Sequence, residues 1–181
     1  MPIVIFDTGF LYSLVVDSSY SEVAREVWAD RELWVPPSVL GEVTYRQRKP
    51  LAGLSPELPQ KVKGLLGSSK WSFDVKNLSD DESAEAELLR EQIGDADPAK
   101  NRAECEAAVL LAGRAPAAGL RIDDRGCLPV VARYVQATTG SSLSYATTSD
   151  VLDALVREGH LAPNARASIR QQLVAKNRPF T

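Results

Sequence analysis

The sequence predicts a three-layer α/β/α sandwich with a central, mainly parallel sheet of about five strands. Short apolar runs alternate along the chain with longer segments whose apolar residues recur at helical spacing, a pattern typical of strand–helix–strand units. The first run, Ile3–Phe6, is apolar throughout and rich in β-branched residues, as strands buried on both faces are. The composition, with 44% hydrophobic and 25% charged residues, is that of an ordinary globular domain.

The domain organisation follows from length and from the spacing of these runs. A chain of 181 residues is enough for one domain with a sizeable core, so a single domain is expected over residues 1–181. We expect a helical insertion or flank at about 51–99 and a C-terminal helix at about 164–176. The remaining strands are expected at residues 33–36, 71–75 (an edge strand), 119–122 and 142–146.

Cap signals mark where several helices begin. A serine followed three residues later by glutamate, the capping-box pattern, occurs twice, and a proline close to the first helical position opens three further helices. These signals are Ser19/Glu22, Ser79/Glu82, Pro37-Ser38, Ser55-Pro56 and Asp97-Pro98. The acidic helix after Ser79 is expected to be a solvated flank. Strands and helices therefore alternate, which favours a parallel sheet between two helix layers.

Charge and cysteine content narrow the function classes. The formal net charge of −3 does not indicate a polyanion-binding protein, so a nucleic-acid partner would need a local basic patch, which metal ions could supplement. Cys105 and Cys127 fit neither a metal-ligand spacing nor a disulfide framework. The sequence shows no signal-peptide pattern and no apolar segment of membrane length, so we expect a cytoplasmic protein without a membrane partner.

Several catalytic chemistries are not expected. His160, the single histidine, comes just after a predicted helix, where capping or solvation explains it, so a serine–histidine or cysteine–histidine nucleophile is not expected. No G-x-G-x-x-G motif follows a predicted strand and no G-x-x-x-x-G-K-[ST] motif occurs, so the simplest nucleotide-binding functions are not expected. Gly9 stands where an aspartyl-phosphate phosphatase would need a second aspartate. If the protein is an enzyme, metal-assisted hydrolysis is the reaction type that these exclusions leave.

Four acidic residues are expected at one edge of the sheet. Asp7 and Asp123 each follow a predicted strand, and parallel strands place their carboxyl ends at the same edge. Glu42 and Glu104 come near the starts of helices at that edge. Clustered carboxylates raise one another's pKa, and one or two Mg²⁺ or Mn²⁺ ions are the natural neutraliser. Asp7 taken alone could equally be the cap of the first helix.

Two neighbouring pairs of acids leave alternatives open. Glu104 and Glu106 project about 200° apart on a helix, so one of them is expected to face the site, and Glu104 is chosen because it shares the apolar stripe of Leu111. Asp123 continues directly from its strand and is preferred as the ligand. Asp124 could cap the next helix or bind metal through water.

Four ordered motifs resemble those of the PIN-domain nucleases. They are the strand followed by Asp7-Thr8, residues 37–43 (PSVLGEV), residues 103–107 (AECEA) with Leu111-Ala112, and residues 122–126 (IDDRG). The closest resemblance is to bacterial toxin ribonucleases of the VapC type, over residues 3 to about 161. It implies a PIN-like fold, a metal-dependent endoribonuclease activity on RNA, Mg²⁺ or Mn²⁺ held by acids, and a small antitoxin protein as partner. We also expect a homodimer.

The resemblance also implies roles for individual residues. Asp7, Glu42, Glu104 and Asp123 match the acidic catalytic and metal-binding positions, and Asp124 is kept as a further metal ligand. Thr8 matches the small hydroxyl residue after the first aspartate and is a candidate substrate contact. A rival reading is a non-catalytic PIN-like module whose acids are structural caps and which holds RNA or a protein.

Basic residues beside the motifs are candidate contacts to RNA phosphates. Arg46 and Arg48 follow Glu42, and Lys100 and Arg102 lie just ahead of Glu104. A charge run at a helix end is also explained by solvation alone. Thr147 and Thr148, before the next predicted helix, are most simply caps, with a hydroxyl near the site as the alternative.

Overall fold

The five strands form one all-parallel sheet. The computed structural model describes residues 1–50, 53–94 and 100–176. The strands in these ranges are β1 (Ile3–Phe6), β2 (Glu32–Val35), β3 (Asp74–Val75), β4 (Gly119–Arg121) and β5 (Tyr145–Ala146). Their spatial order is β3-β2-β1-β4-β5, and every neighbouring pair is parallel. The predicted parallel sheet of about five strands is therefore confirmed.

Helices cover both faces of the sheet. In the described ranges they are α1 (Thr8–Leu14), α2 (Ser18–Val27), α3 (Pro37–Arg48), α4 (Glu57–Leu66), α5 (Asp80–Ile93), α6 (Arg102–Arg114), α7 (Leu128–Thr139), α8 (Thr148–Arg157) and α9 (Pro163–Ala175). Successive strand residues point to opposite faces. Val4 and Phe6 accordingly pack with α1–α4, α8 and α9, whereas Ile5 packs with α5–α7. The α/β/α sandwich is confirmed.

The strand order reverses between β1 and β4. From β1 the chain builds outward through β2 and β3 on one side and then through β4 and β5 on the other. Phe6 is in register with Arg121, so the carboxyl ends of β1 and β4 are adjacent. In open parallel sheets, ligands bind in the crevice at such a switch point. Asp7 and Asp123 follow these two strands.

The segment 51–99 contributes to the sheet as well as to the helix layers. Its described residues form α4, the edge strand β3 and α5. Trp71 stacks on Phe73 with ring centroids 5.4 Å apart, and Phe73 meets Phe6 of the central strand edge-to-face at 5.3 Å. Burying these large aromatic rings anchors the segment to the core beneath β1. The C-terminal helix expected at about 164–176 is α9.

Some local predictions need correction. The N-cap of α2 is Asp17 and not Ser19, because the Asp17 carboxylate accepts a hydrogen bond of 3.0 Å from the Tyr20 N–H. Strand β5 is shorter than the predicted 142–146. The capping box of Ser79 and Glu82 is present. Asp97-Pro98 lies outside the described residues.

Within the described ranges, none of the helices has the length and apolar character that a bilayer crossing needs.

Candidate functional site

Asp7 lies at the carboxyl end of β1 and caps α1. Its side chain is fully buried, and Oδ1 accepts a hydrogen bond of 2.6 Å from the Phe10 N–H. Oδ2 lies 3.4 Å from the backbone nitrogen of Asp123, which links the ends of β1 and β4. The capping role is thus observed. A carboxylate offers about four lone-pair positions, so capping and cation binding by Asp7 are compatible.

Asp123 is bound by the hydroxyls of two other elements. Oδ1 accepts from the Thr148 N–H at 2.8 Å, while Oδ2 accepts from the Thr148 hydroxyl at 2.8 Å and the Ser13 hydroxyl at 2.5 Å. Thr148 is available for this contact because Thr147 is the actual N-cap of α8. Asp123 therefore joins the end of β4 to α8 and to α1.

Glu42 on α3 and Glu104 on α6 form the electrostatic centre of the site. Burial raises the pKa of Glu104 to about 7, and the negative charge of Glu42 contributes further. Burial also raises the pKa of Glu42, whereas the hydroxyl of Thr8 beside it lowers that pKa. Within the described residues this buried Thr8 oxygen makes no hydrogen bond of regular geometry. It therefore approaches Glu42 closely enough to act on that carboxylate without completing a regular hydrogen bond.

Glu106 has a structural role that the sequence did not indicate. Its Oε2 accepts a hydrogen bond of 3.0 Å from the Ser38 N–H in the first turn of α3, and its Oε1 accepts one of 3.0 Å from Arg102 Nε. The charge of Glu106 also raises the pKa of Glu42, so both acids of α6 act on α3. The expectation that only one of them could face this region was therefore too strict.

Asp124 is the aspartate whose charge acts on Glu104. Its charge raises the pKa of Glu104, and its Oδ1 accepts a hydrogen bond of 2.8 Å from the Gly126 N–H in the turn before α7. The two consecutive aspartates thus have different surroundings. Asp124 belongs electrostatically with Glu104, while Asp123 is hydrogen-bonded to Ser13 and Thr148. This arrangement favours Asp124 as the candidate ligand beside Glu104.

The predicted basic contacts flank the two glutamates. The charge of Arg46 lowers the pKa of Glu42, and the charge of Lys100 lowers the pKa of Glu104. Arg102 pairs with Glu106 but leaves 61% of its side chain exposed. Arg48 is exposed at the end of α3. Cations therefore border the acidic cluster at the ends of both helices that carry it.

The donors at this edge suit a hard divalent cation. They are carboxylate oxygens together with the Thr8 hydroxyl, which Mg²⁺ and Mn²⁺ prefer. In the described part of the chain, no three His, Cys, Asp or Glu side chains already stand in an arrangement that could hold a metal ion. The residues fit the ion by chemistry, and the side chains of Glu42, Glu104 and Asp124 would have to converge further to bind it.

Comparison with known proteins gives no assignment. No protein-family model matches the chain, and comparison with curated proteins and with solved structures likewise finds no match. A relationship to the PIN-domain nucleases therefore stays a prediction from the four sequence motifs. The arrangement of acids at the β1–β4 switch point carries the functional argument.

Proposed function

We propose that this protein is a metal-dependent endoribonuclease that hydrolyses RNA phosphodiester bonds with one or two Mg²⁺ or Mn²⁺ ions. The observation that carries the proposal is the buried Glu104, whose pKa is raised to about 7, beside Glu42 at the edge where β1 and β4 end. Acids with perturbed pKa values in a crevice are typical of functional sites. A cation would replace the protons that such carboxylates otherwise retain.

The chain's own residues divide into ligands and supports. Glu42, Glu104, Asp124 and Asp7 would hold the ion, which when bound supplies activation of water and neutralisation of phosphate charge. Asp123 supports them by fixing the end of β4 against α8 through Thr148.

The substrate is attracted by the cations that border this cluster. Arg46 and Lys100 lie within electrostatic range of Glu42 and Glu104, respectively. Contacts of arginine and lysine to phosphates position a nucleic acid without reading its sequence. Arg48 and Arg102 extend the same basic border, so the phosphates on either side of the scissile bond can be held while the acids carry the cation.

The biological setting is proposed from the motif resemblance. We assign the chain the role of a toxin with a small antitoxin partner, in the cytoplasm and as a homodimer. A small open reading frame immediately upstream would support the antitoxin, and sedimentation of the purified chain measures the dimer. A monomer at all concentrations would contradict the dimer without affecting the nuclease proposal.

The nuclease proposal is tested with single acid variants. Purified protein is incubated with several end-labelled RNAs and Mn²⁺, beside Asp7→Asn and Glu104→Gln. Loss of a residue that only supports a metal ligand can reduce activity by roughly 100-fold. Because Asp7 and Glu104 are proposed as direct ligands, both substitutions should reduce cleavage by more than that. Glu91→Gln, which changes an exposed acid on α5, is the matched control and should cleave as the wild type does. Equal cleavage by the wild type and Asp7→Asn would reveal a contaminating nuclease and contradict the proposal.

A non-catalytic binding module is the second candidate. It is favoured by the capping role of Asp7 and by the hydrogen bonds of Asp123 to Ser13 and Thr148, because both acids already have a structural use. Calorimetric titration of the protein with Mn²⁺ distinguishes the two functions, because only the nuclease needs to bind the ion. Binding that Glu104→Gln weakens supports the nuclease, whereas no binding at millimolar Mn²⁺ supports the module.

A further inference from the structure

An exposed tyrosine between cations lies at the end of α3. The side chain of Tyr45 is 48% exposed. The guanidinium carbon of Arg46 lies 5.3 Å from the centre of its ring, and the ammonium nitrogen of Lys49 lies 5.7 Å from it. Both separations are within the range of cation–π attraction. Tyr45, Arg46, Arg48 and Lys49 are called the aromatic-basic surface below.

This surface adjoins the acidic cluster. Tyr45 and Arg46 follow Glu42 by three and four residues, so they neighbour it on the surface of the same helix. The charge of Arg46 also lowers the pKa of Glu42, in keeping with this neighbourhood. Along the helix axis, Tyr45 is only about 4.5 Å beyond Glu42. The ring is therefore within reach of a chain bound over the acids.

The surface combines the two elements that bind unpaired nucleic acid. Single strands are held by cations along their phosphates and by aromatic rings on which bases stack. Bases in a duplex are already stacked on each other, whereas unpaired bases can turn out onto a side chain. The protein carries a net charge of −3. Two cations against one exposed ring, with Arg48 exposed on the same helix end, are therefore a local reversal of sign suited to phosphates.

We propose that Tyr45 is a stacking platform for an unpaired base next to the scissile phosphate. Arg46, Arg48 and Lys49 contact the flanking phosphates. The ring then sets the position of the strand relative to Glu42 and Glu104. The position next to a cleaved phosphate rests on the proposed nuclease function. The binding of unpaired RNA to Tyr45 can be measured without cleavage.

The test measures binding and stacking separately from cleavage. A short single-stranded RNA that contains 2-aminopurine is titrated with Glu104→Gln protein in metal-free buffer, and both anisotropy and 2-aminopurine fluorescence are recorded. Adding Tyr45→Ala should weaken binding at least about fivefold and abolish the fluorescence quenching, because stacking on an aromatic side chain contributes that much per base. Tyr45→Trp should retain both. A duplex of the same sequence should bind independently of Tyr45.

Tyr145→Ala is the matched control. Tyr145 is 49% exposed on the edge strand β5, so its truncation removes a comparable area of exposed aromatic ring away from α3. It should bind RNA as the Glu104→Gln background does. Thermal unfolding of each variant verifies that the fold is retained, which the exposure of both rings leads us to expect.

The outcomes separate this inference from the proposed function. Equal RNA affinity in Tyr45→Ala and Tyr145→Ala, or no RNA binding by any variant, overturns the platform. Metal-dependent cleavage that Asp7→Asn abolishes and Tyr45→Ala leaves unchanged refutes the platform and retains the nuclease. Tyr45-dependent binding without metal-dependent cleavage retains the platform and refutes the nuclease. Binding of a labelled acidic peptide that Tyr45→Ala weakens, with no binding of the RNA, would identify the surface as a protein-binding one and overturn the inference.

Discussion

Glu106 on α6 accepts a hydrogen bond of 3.0 Å from the backbone N–H of Ser38 at the start of α3. Helix α3 begins after Pro36, which has no side chain that could cap it. The first N–H groups of a helix lack partners within the helix, so a carboxylate from another element stabilises them. This bond holds α3, which carries Glu42, against α6, which carries Glu104. The separation of the two candidate ligands therefore depends on a residue outside the ligand set.

Substitution of Glu106 should reduce stability. We expect Glu106→Ala to lower the free energy of unfolding by about 1 kcal/mol or more, since it removes a cap and leaves Ser38 without its partner. Urea denaturation measures this. Arg102→Ala removes the other partner of Glu106, and because that side chain is 61% exposed it should change stability much less. Equal losses in the two variants would show that the ion pair, and not the cap, is the stabilising contact.

The bond between Asp123 and Thr148 should be energetically coupled. Thr148→Val removes the hydroxyl that donates to Asp123 Oδ2 and should cost about 1 kcal/mol of unfolding free energy. Combining it with Asp123→Asn in a double-mutant cycle should give a coupling energy of at least about 0.5 kcal/mol. Thr138→Val, at an exposed position of α7, is the control and should be nearly neutral. Strict additivity of Thr148→Val and Asp123→Asn would contradict the coupling.

The raised pKa of Glu104 predicts a pH dependence of stability without metal. In the folded state Glu104 retains its proton up to about pH 7, whereas in the unfolded state it releases it near its ordinary value of 4.5. Between these values the folded state binds more protons, so stability falls as the pH rises through this window. In chelator, Glu104→Gln should flatten this decline and stabilise the protein at pH 8 by roughly 3 kcal/mol, since each pKa unit corresponds to about 1.4 kcal/mol.

The comparison is made by urea denaturation at pH 5 and pH 8. Glu91→Gln serves as control and should keep the wild-type slope. If stability were to rise between these pH values as much in the wild type as in Glu104→Gln, the buried carboxylate would be paired and not destabilising. Added Mn²⁺ should stabilise the wild type more at pH 8 than at pH 5, because a cation competes with the Glu104 proton.

The lowered pKa of Glu82 predicts that stability depends on pH in the opposite direction in acid. The hydrogen bond from Arg114, together with the Ser79 N–H, lowers the pKa of Glu82 to about 2 even though burial opposes this shift. Its contribution to stability is therefore complete above about pH 4.5 and is lost as the pH falls towards 2. Glu82→Gln should cost about 1 kcal/mol at pH 7 and progressively less in acid. Acid titration followed by circular dichroism, with Glu91→Gln as reference, checks this. A loss that is constant with pH would contradict it.

Local sequence patterns determined the element types and the position of one candidate site residue, Asp7. Apolar runs and cap signals are local properties, so β1, the capping box of Ser79 and the position of Asp7 after a strand could be predicted from neighbours in the chain. The alternation of strands and helices, with right-handed crossovers, also limits the fold to a parallel sheet between helix layers. These predictions needed no contact between distant residues.

The tertiary structure alone decided which residues meet. The adjacency of β1 and β4 depends on strand order, which hydrophobic patterning does not specify. The cap that Glu106 provides to Ser38 joins residues 68 positions apart, and Thr148 reaches Asp123 across 25. Such bonds form because each end of a helix must find partners for its backbone groups wherever packing supplies them. The different surroundings of the two aspartates have the same origin. Asp123 is hydrogen-bonded to Thr148 and Ser13, whereas the charge of Asp124 acts on Glu104.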